Sequence, residues 1–217
     1  MLEGPLTEYE AKQVFADAGI PVVREELVED VDGAVEAAED IGYPVILKVD
    51  AAAVQHKTDI GAVQEAHDAE EVRKRYDLIM DNVHEAHPDA DIHGVLVEET
   101  LDGHEMIVGV NRDPEFGPVL MFGLGGIFVE VLRDVNFRTI PITERDARAL
   151  IDEMESSELL DGVRGEDPVD TDAIVDVLLA VSDLVEAHDE ISELDINPLF
   201  VSAAGAVAAD ALIEVDG

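Results

Sequence analysis

The sequence predicts an α+β fold built as two lobes. Segments with strand character and segments with helical periodicity alternate along 217 residues, but without the regular strand–helix–strand rhythm of a doubly wound parallel sheet. The length suits one large domain or two small lobes and is sufficient to bury a proper core. Neither internal repeats nor low-complexity segments interrupt the pattern.

Taken in order, Thr7-Glu8-Tyr9-Glu10 has capping-box spacing, and Val14 and Phe15 share one face of the helix that Gly19 ends. Pro21 opens a short strand through Val22 and Val23, and Asp32 can cap a helix running to Ile41, stopped by Gly42 and Pro44. Val45-Ile46-Leu47-Lys48-Val49 reads as a short buried strand, apolar apart from one lysine. Burying an ammonium is costly unless it meets an anion or an acidic partner. The alternative is an edge strand from which Lys48 reaches outward to water.

A polar loop, Gln55-His56-Lys57-Thr58-Asp59-Ile60-Gly61-Ala62, returns into a strand, and Asp68 caps a long helix reaching about Ala86. Arg73, Lys74 and Arg75 lie among acids on that helix, which reads as a solvated face. Ile92 to Val97 forms a strand ending at Glu98-Glu99. His104 to Val110 forms another, with Glu105 at its start, and Asn111 to Pro114 turns the chain.

The uncharged run Gly117 to Val129 is too short and too interrupted by glycine to span a bilayer. Val119 to Phe122 reads as a buried strand. Gly123, Gly125 and Gly126 then allow a sharp turn and close approach to something. A turn presenting successive N–H groups can hold an anion such as phosphate, and a tight hairpin in the core is the plain alternative. The spacing is not the dinucleotide fingerprint.

Thr143 to Asp146 caps a further helix, and Thr171 to His188 is strongly amphipathic. The chain closes with Asp195-Ile196-Asn197-Pro198, a Gly205 turn and Asp210, read as a hairpin that brings the three polar residues near one another. Asp195 and Asn197, two apart on a strand, point the same way. Oxygen ligands so placed suit Mg²⁺, and Asp and Asn before proline are equally ordinary turn formers.

Composition narrows the partners. Asp and Glu total 52 against 13 Lys and Arg, a formal charge of −39, with 47% hydrophobic residues. That field repels nucleic acid and anionic membranes, and the hydrophobic content excludes a disordered acidic tail. A cytoplasmic protein of a high-salt cell is expected, since screening tolerates such self-repulsion. There is no cysteine, which removes disulfides and thiolate chemistry. The N-terminus lacks the basic start and apolar core of a signal peptide. Only Lys12, Lys48, Lys57 and Lys74 remain as lysines, so each retained one is more apt to be needed.

Lys48 on an early strand, Glu98-Glu99 at a strand end, Glu105, the glycine turn and the Asp195-Ile-Asn-Pro…Asp210 segment together resemble an ATP-grasp nucleotide-binding fold. More narrowly, His56-Lys57-Thr58-Asp59-Ile60-Gly61, Phe116-Gly-Pro…Phe122-Gly-Leu-Gly-Gly-Ile-Phe-Val-Glu130 and Phe137-Arg138 resemble the β subunit of ADP-forming acetate–CoA ligase, a relative of succinyl-CoA synthetase. The resemblance covers essentially the whole chain. It implies two α/β lobes (21–97, and 1–20 with 98–217) with the nucleotide site between them. It also implies ATP or ADP with Mg²⁺ as cofactors, and a CoA-binding α subunit as partner in an α₂β₂ assembly.

By the same resemblance, Lys48 contacts the nucleotide phosphates. Glu98, with Glu99 beside it, the Leu101 backbone and Glu105 hold adenine and ribose, with Gly123, Gly125 and Gly126 as further cofactor contacts. Asn197 and Asp210 bind Mg²⁺, with Asp195 alongside as a catalytic residue. His56 relays a phosphoryl group, assisted by Lys57, Arg133 and Arg138 as local positive charge; imidazole is nucleophilic and partly neutral near pH 7. One departure stands out: Ala62 occupies a position where the family has a second glycine. The alternatives are another ATP-grasp ligase, such as a succinyl-CoA synthetase β subunit, and a non-catalytic nucleotide sensor.

Overall fold

The computed structural model describes residues 2, 4–54, 57–126, 134–162 and 167–215. They form two compact units, a smaller one of Thr7–Tyr9 and Val23–Leu101 and a larger one of Met1–Leu6, Glu10–Val22 and Asp102–Gly217. Helix α1 (Glu8–Asp17) contributes its first two residues to the smaller unit and the rest to the larger.

The smaller unit carries β1 (Glu25–Val28), α2 (Val31–Ile41), β2 (Val45–Asp50), β3 (Val63–Ala66), α3 (Ala69–Ala86) and β4 (Gly94–Glu99). Its sheet is antiparallel with strand order β1-β4-β2-β3, so β2 is an interior strand. Alternation then decides the faces. Val45, Leu47 and Val49 join Ala34, Ala38, Ile79 and Val83 in the core, whereas Ile46, Lys48 and Asp50 point the other way. Asp68 caps α3 as expected, accepting from Glu70 and Glu71. The cap of α2 is Asp30 rather than Asp32: its carboxylate accepts from the Gly33 N–H at 2.8 Å, and Asp32 lies in the first turn, where its charge suits the helix dipole.

The larger unit holds β5 (His104–Asp113), β6 (Gly117–Leu124), β7 (Val135–Thr139), α4 (Glu144–Asp152), α5 (Thr171–Ala187), β8 (Ile191–Ser202), β9 (Gly205–Ala208) and β10 (Leu212–Val215). The antiparallel order is β10-β8-β5-β6-β7, with β9 also paired to β8. Phe15, Leu120, Phe122, Leu150, Leu178, Leu194 and Ile196 are among the residues of its core. Thr143 and Asp146 complete a reciprocal capping box on α4.

Three further expectations shift. The strand expected at Val22–Val23 is only a single parallel bridge from Val22 to Ala208, and the first strand starts at Glu25. The turn expected at Asn111–Pro114 begins later, because β5 stays paired with β6 as far as Asp113. β7 was not anticipated: it is a half-exposed edge strand whose mixed sequence lacks a buried run. Among the described residues no helix is long and apolar enough to cross a membrane.

Candidate functional site

The lysine inside β2 is answered by acid. Lys48 Nζ lies 2.9 Å from Glu8 Oε1 and 3.0 Å from Glu98 Oε2. The other Glu8 oxygen, Oε2, accepts from Lys57 Nζ at 2.8 Å. The side chains of Glu8 and Glu98 are only 1% and 3% exposed, against 9% for Lys48 and 16% for Lys57. Sheet register places Glu98: Ile46 faces Glu98 and Lys48 faces Leu96, so Lys48 and Glu98 are diagonal neighbours on one face. The outward-reaching alternative for Lys48 is excluded, since the strand is interior and its ammonium is paired.

Lys57 reaches Glu8 from a closed turn. The Gly61 N–H donates to the Thr58 carbonyl at 3.1 Å and the Ala62 N–H to the Lys57 carbonyl at 2.8 Å. Gly61 has φ +71, and a Cβ there would sit 2.7 Å from Asn82 Nδ2. The departure at Ala62 is thereby explained. Its methyl is fully buried in the core of the smaller unit, and the position needing glycine is Gly61. His56 lies outside the described residues, as do Arg133 and Glu130.

The remaining residues expected at strand ends have varied surroundings. Glu99 exchanges bonds with the chain before β1, its carboxylate accepting from the Arg24 N–H at 3.0 Å. Leu101 is half-buried just beyond β4. Glu105 is exposed at the start of β5, and the glycine turn lies across it: the Gly125 N–H donates to the Glu105 carbonyl at 2.7 Å, and a Cβ on Gly126 would fall 2.4 Å from Glu105 Oε2. Gly123 has a packing reason of its own, for its Cβ would lie 2.3 Å from the Asp134 carbonyl oxygen on the neighbouring chain segment. What Gly123 approaches closely is the backbone next to it.

Asp195 and Glu105 share a face of the larger sheet. Asp195 is opposite Gly109, Gly109 opposite Met121 and Met121 opposite Phe137, so these form one row across four strands. Glu105 and Gly109, an even number of residues apart on β5, alternate onto that same face. Arg138, next to Phe137, is on the opposite face and spends its guanidinium on Glu153 at 2.7 Å. The structure therefore does not bring Arg138 together with Asp195.

β8 runs on through Asn197-Pro198 rather than turning there. Between Met106 and Val108 the register slips by one residue on β8, a bulge at Asn197-Pro198 that leaves Asn197 exposed. Proline has no N–H for the ladder, and bulges re-aim side chains. The Ala209 N–H donates to the Pro198 carbonyl at 3.1 Å, which sets Asp210 beside this bulge. Burial first, then the charges of Asp210 and Glu193, push the Asp195 carboxyl up to about 7. No cationic side chain pairs with Asp195 among the described residues, and no cluster of three or more His, Asp or Glu side chains there forms a complete metal cage. Asp195, Asn197 and Asp210 are thus a partial oxygen set with surplus negative charge, which fits a cation completed by other oxygens.

Glu8 was missed in the sequence. It was read only within the capping-box spacing of Thr7–Glu10, which gave no sign of its contacts with two distant lysines.

The ATP-grasp domain family matches residues 3–215, so the chain is an ATP-grasp protein. It is 48% identical to the β subunit of acetate–CoA ligase [ADP-forming] II of Pyrococcus furiosus, an alignment covering 98% of this chain and 92% of that one. The chain belongs to the β subunits of ADP-forming acetate–CoA ligases, the ATP-grasp part of that enzyme. The dinucleotide-forming acetyl-coenzyme A synthetase 1 of Ca. Korarchaeum cryptofilum, solved with coenzyme A and Ca-AMPCP, superposes with a TM-score of 0.92 at 43% identity, covering 97% of this chain and 93% of that one. The same protein with coenzyme A and Mg-AMPPCP, its phosphohistidine segment pointing towards the nucleotide-binding site, gives a TM-score of 0.82 at 40% identity, covering 96% of this chain and 92% of that one. The β subunit of succinate–CoA ligase of Haloarcula marismortui is 35% identical over 98% of this chain but only 55% of its own length.

Proposed function

We propose that this chain binds ADP or ATP with Mg²⁺ and moves a phosphoryl group through a phosphohistidine, within the reaction acyl-CoA + ADP + phosphate ⇌ acid + CoA + ATP. The observation that carries the reading is the Lys48–Lys57 group, Lys48 buried and Lys57 half-buried. In a chain of net charge −39 it gathers two of the four lysines at one spot. Phosphoryl transfer asks the protein mainly for positive charge and positioning.

In this reading Lys48 and Lys57 face the phosphates, and Glu98, Glu99, the Leu101 backbone and Glu105 address adenine and ribose. Gly126 and the turn after Gly123 and Gly125 lie alongside the nucleotide. Asn197 and Asp210 would hold Mg²⁺, with Asp195 on the same face as Glu105; the ion would neutralise phosphate oxygens when bound. His56 is the relay. Its imidazole nitrogen bonds to the transferred phosphorus as the bond to the ADP oxygen breaks, and the reverse transfer regenerates ATP. Arg138, committed to Glu153, has the weakest support of the set.

The phosphoryl donor is made elsewhere, by a CoA-binding α subunit in an α₂β₂ enzyme, a reading supported by relatives that are β subunits of a larger enzyme. The acidic surface supports a high-salt cytoplasm. The test is to co-express the chain with its α partner and supply [γ-³²P]ATP: acid-labile, base-stable label on protein is expected, lost in His56→Ala. A labelled wild-type complex whose label survives His56→Ala unchanged would remove the relay, and full ADP-dependent turnover by this chain alone would remove the partner.

A further inference from the structure

The structure assigns Glu8 as the positioning residue that sets Lys57, through a shared carboxylate, for phosphoryl transfer; this rests on the function proposed above. Each Glu8 oxygen serves a different lysine, Oε1 accepting from Lys48 at 2.9 Å and Oε2 from Lys57 at 2.8 Å. Lys48 is also held by Glu98, so it is fixed from two carboxylates. Lys57 meets Glu8 alone among the described residues, is the more exposed of the two, and keeps two donors for an incoming oxygen anion. Without Glu8, nothing described on the chain would fix the end of this long, rotamer-rich side chain.

Glu8 is itself fixed from the same strand. Asp50, two residues beyond Lys48 and on its face, is fully buried and accepts from the Tyr9 N–H at 3.1 Å. The first turn of α1 is therefore tied to β2 at Asp50 and, through Glu8, at Lys48. The arrangement places two ammoniums against one carboxylate, an anion that, like a phosphoryl group, offers a separate oxygen to each.

The test uses the chain with its α partner, comparing wild type, Glu8→Gln, Glu8→Asp, Lys57→Met and the two double variants. Glu8→Asp keeps the charge, so it guards against a Glu8→Gln that does not fold, but it is one methylene short of reaching both lysines. The expected result is acid-labile labelling from [γ-³²P]ATP slowed about tenfold or more by either Glu8 variant. Mg–ADP affinity should stay within about threefold of wild type, because Lys48 is retained. Each double variant should be no slower than Lys57→Met alone, since a residue acting through Lys57 has nothing left to act on. Effects that multiply in the double variants, or Glu8 variants that label like wild type, overturn the assignment while leaving the proposed function intact. A wild-type complex that takes up no acid-labile label overturns the function itself, and the Glu8 assignment with it.

Discussion

In the smaller unit, two ammoniums and two carboxylates meet within 3.0 Å, each charge answered from within the same unit. In the larger unit, Asp195 faces Asp210 and Glu193, with no cation beside it among the described residues. The first cluster is complete as it stands and can be buried almost wholly. The second holds its excess charge by raising the Asp195 carboxyl to about 7, and Asp195 is half-buried. One is charge-matched from within and the other carries a carboxyl raised by burial and like charge, and the two should fail in opposite directions.

The largest effect expected is from Lys48→Met. It leaves the Glu98 carboxylate, 3% exposed, without its ammonium. Breaking a buried pair from one side costs about 3–5 kcal/mol. Urea unfolding should show that loss, and a variant as stable as wild type would mean that the quartet is not charged as drawn.

Asp195→Asn should do the reverse. An ordinary aspartate titrates near about 3.9, so a folded value of about 7 means the native state holds this proton longer than the unfolded chain. The contribution is fully present below about pH 4 and is lost as pH rises through about 7. The asparagine variant escapes that loss. Its stability relative to wild type should therefore climb between pH 4 and 7, by up to about 4 kcal/mol, and level off above. Equal offsets in urea melts at pH 5 and pH 8 would show that Asp195 bears no strain. The same variant should bind Mg–ADP more weakly, which separates the stability of the site from its use.

Salt sharpens the contrast with a smaller effect. The Debye length falls from roughly 10 Å at 0.1 M to roughly 3 Å at 1 M, and buried pairs are screened least. The whole acidic surface should gain from KCl, so the wild-type midpoint rises. Against that rise, the deficit of Lys48→Met should stay nearly constant, while the advantage of Asp195→Asn should shrink as Asp210 and Glu193 are screened. A Lys48→Met deficit that melts away in molar KCl would place the quartet in contact with solvent.

Much of this was legible in the sequence, for reasons that can be stated residue by residue. Lys48 announced itself because a charge inside an apolar strand must be paired or exposed. Asp195 and Asn197 were expected to share a face on a two-residue repeat, but the bulge at Asn197-Pro198 interrupts that repeat. Glu8 was hidden because its partners are 40 and 49 positions away and its local setting offered a sufficient explanation. The glycine run was ambiguous for a related reason: φ freedom says that something comes close, and only the neighbouring segment at Asp134 says what. Arg138 was read for its charge, but strand alternation turns it away from Asp195, and an unrecognised strand cannot declare its faces.

The smallest effect concerns Ala62, whose methyl is buried while its N–H closes the turn on the Lys57 carbonyl at 2.8 Å. Ala62→Gly removes roughly one buried carbon, worth about 0.8 kcal/mol. It also restores freedom to the unfolded chain, which costs a further 0.4–1 kcal/mol or about that much. The turn that carries Lys57 should loosen with it, because Gly61 already supplies the one left-handed residue that the loop needs, at φ +71. A loosened turn leaves the Glu8 carboxylate in place but lowers the fraction of time Lys57 occupies it. The expected result is a thermal midpoint a few degrees lower and acid-labile labelling slowed no more than about threefold, with Mg–ADP affinity unchanged. If labelling instead rises, the buried methyl is a brake on the Lys57 turn, and the rigidity ascribed here to the smaller unit's cluster works against transfer.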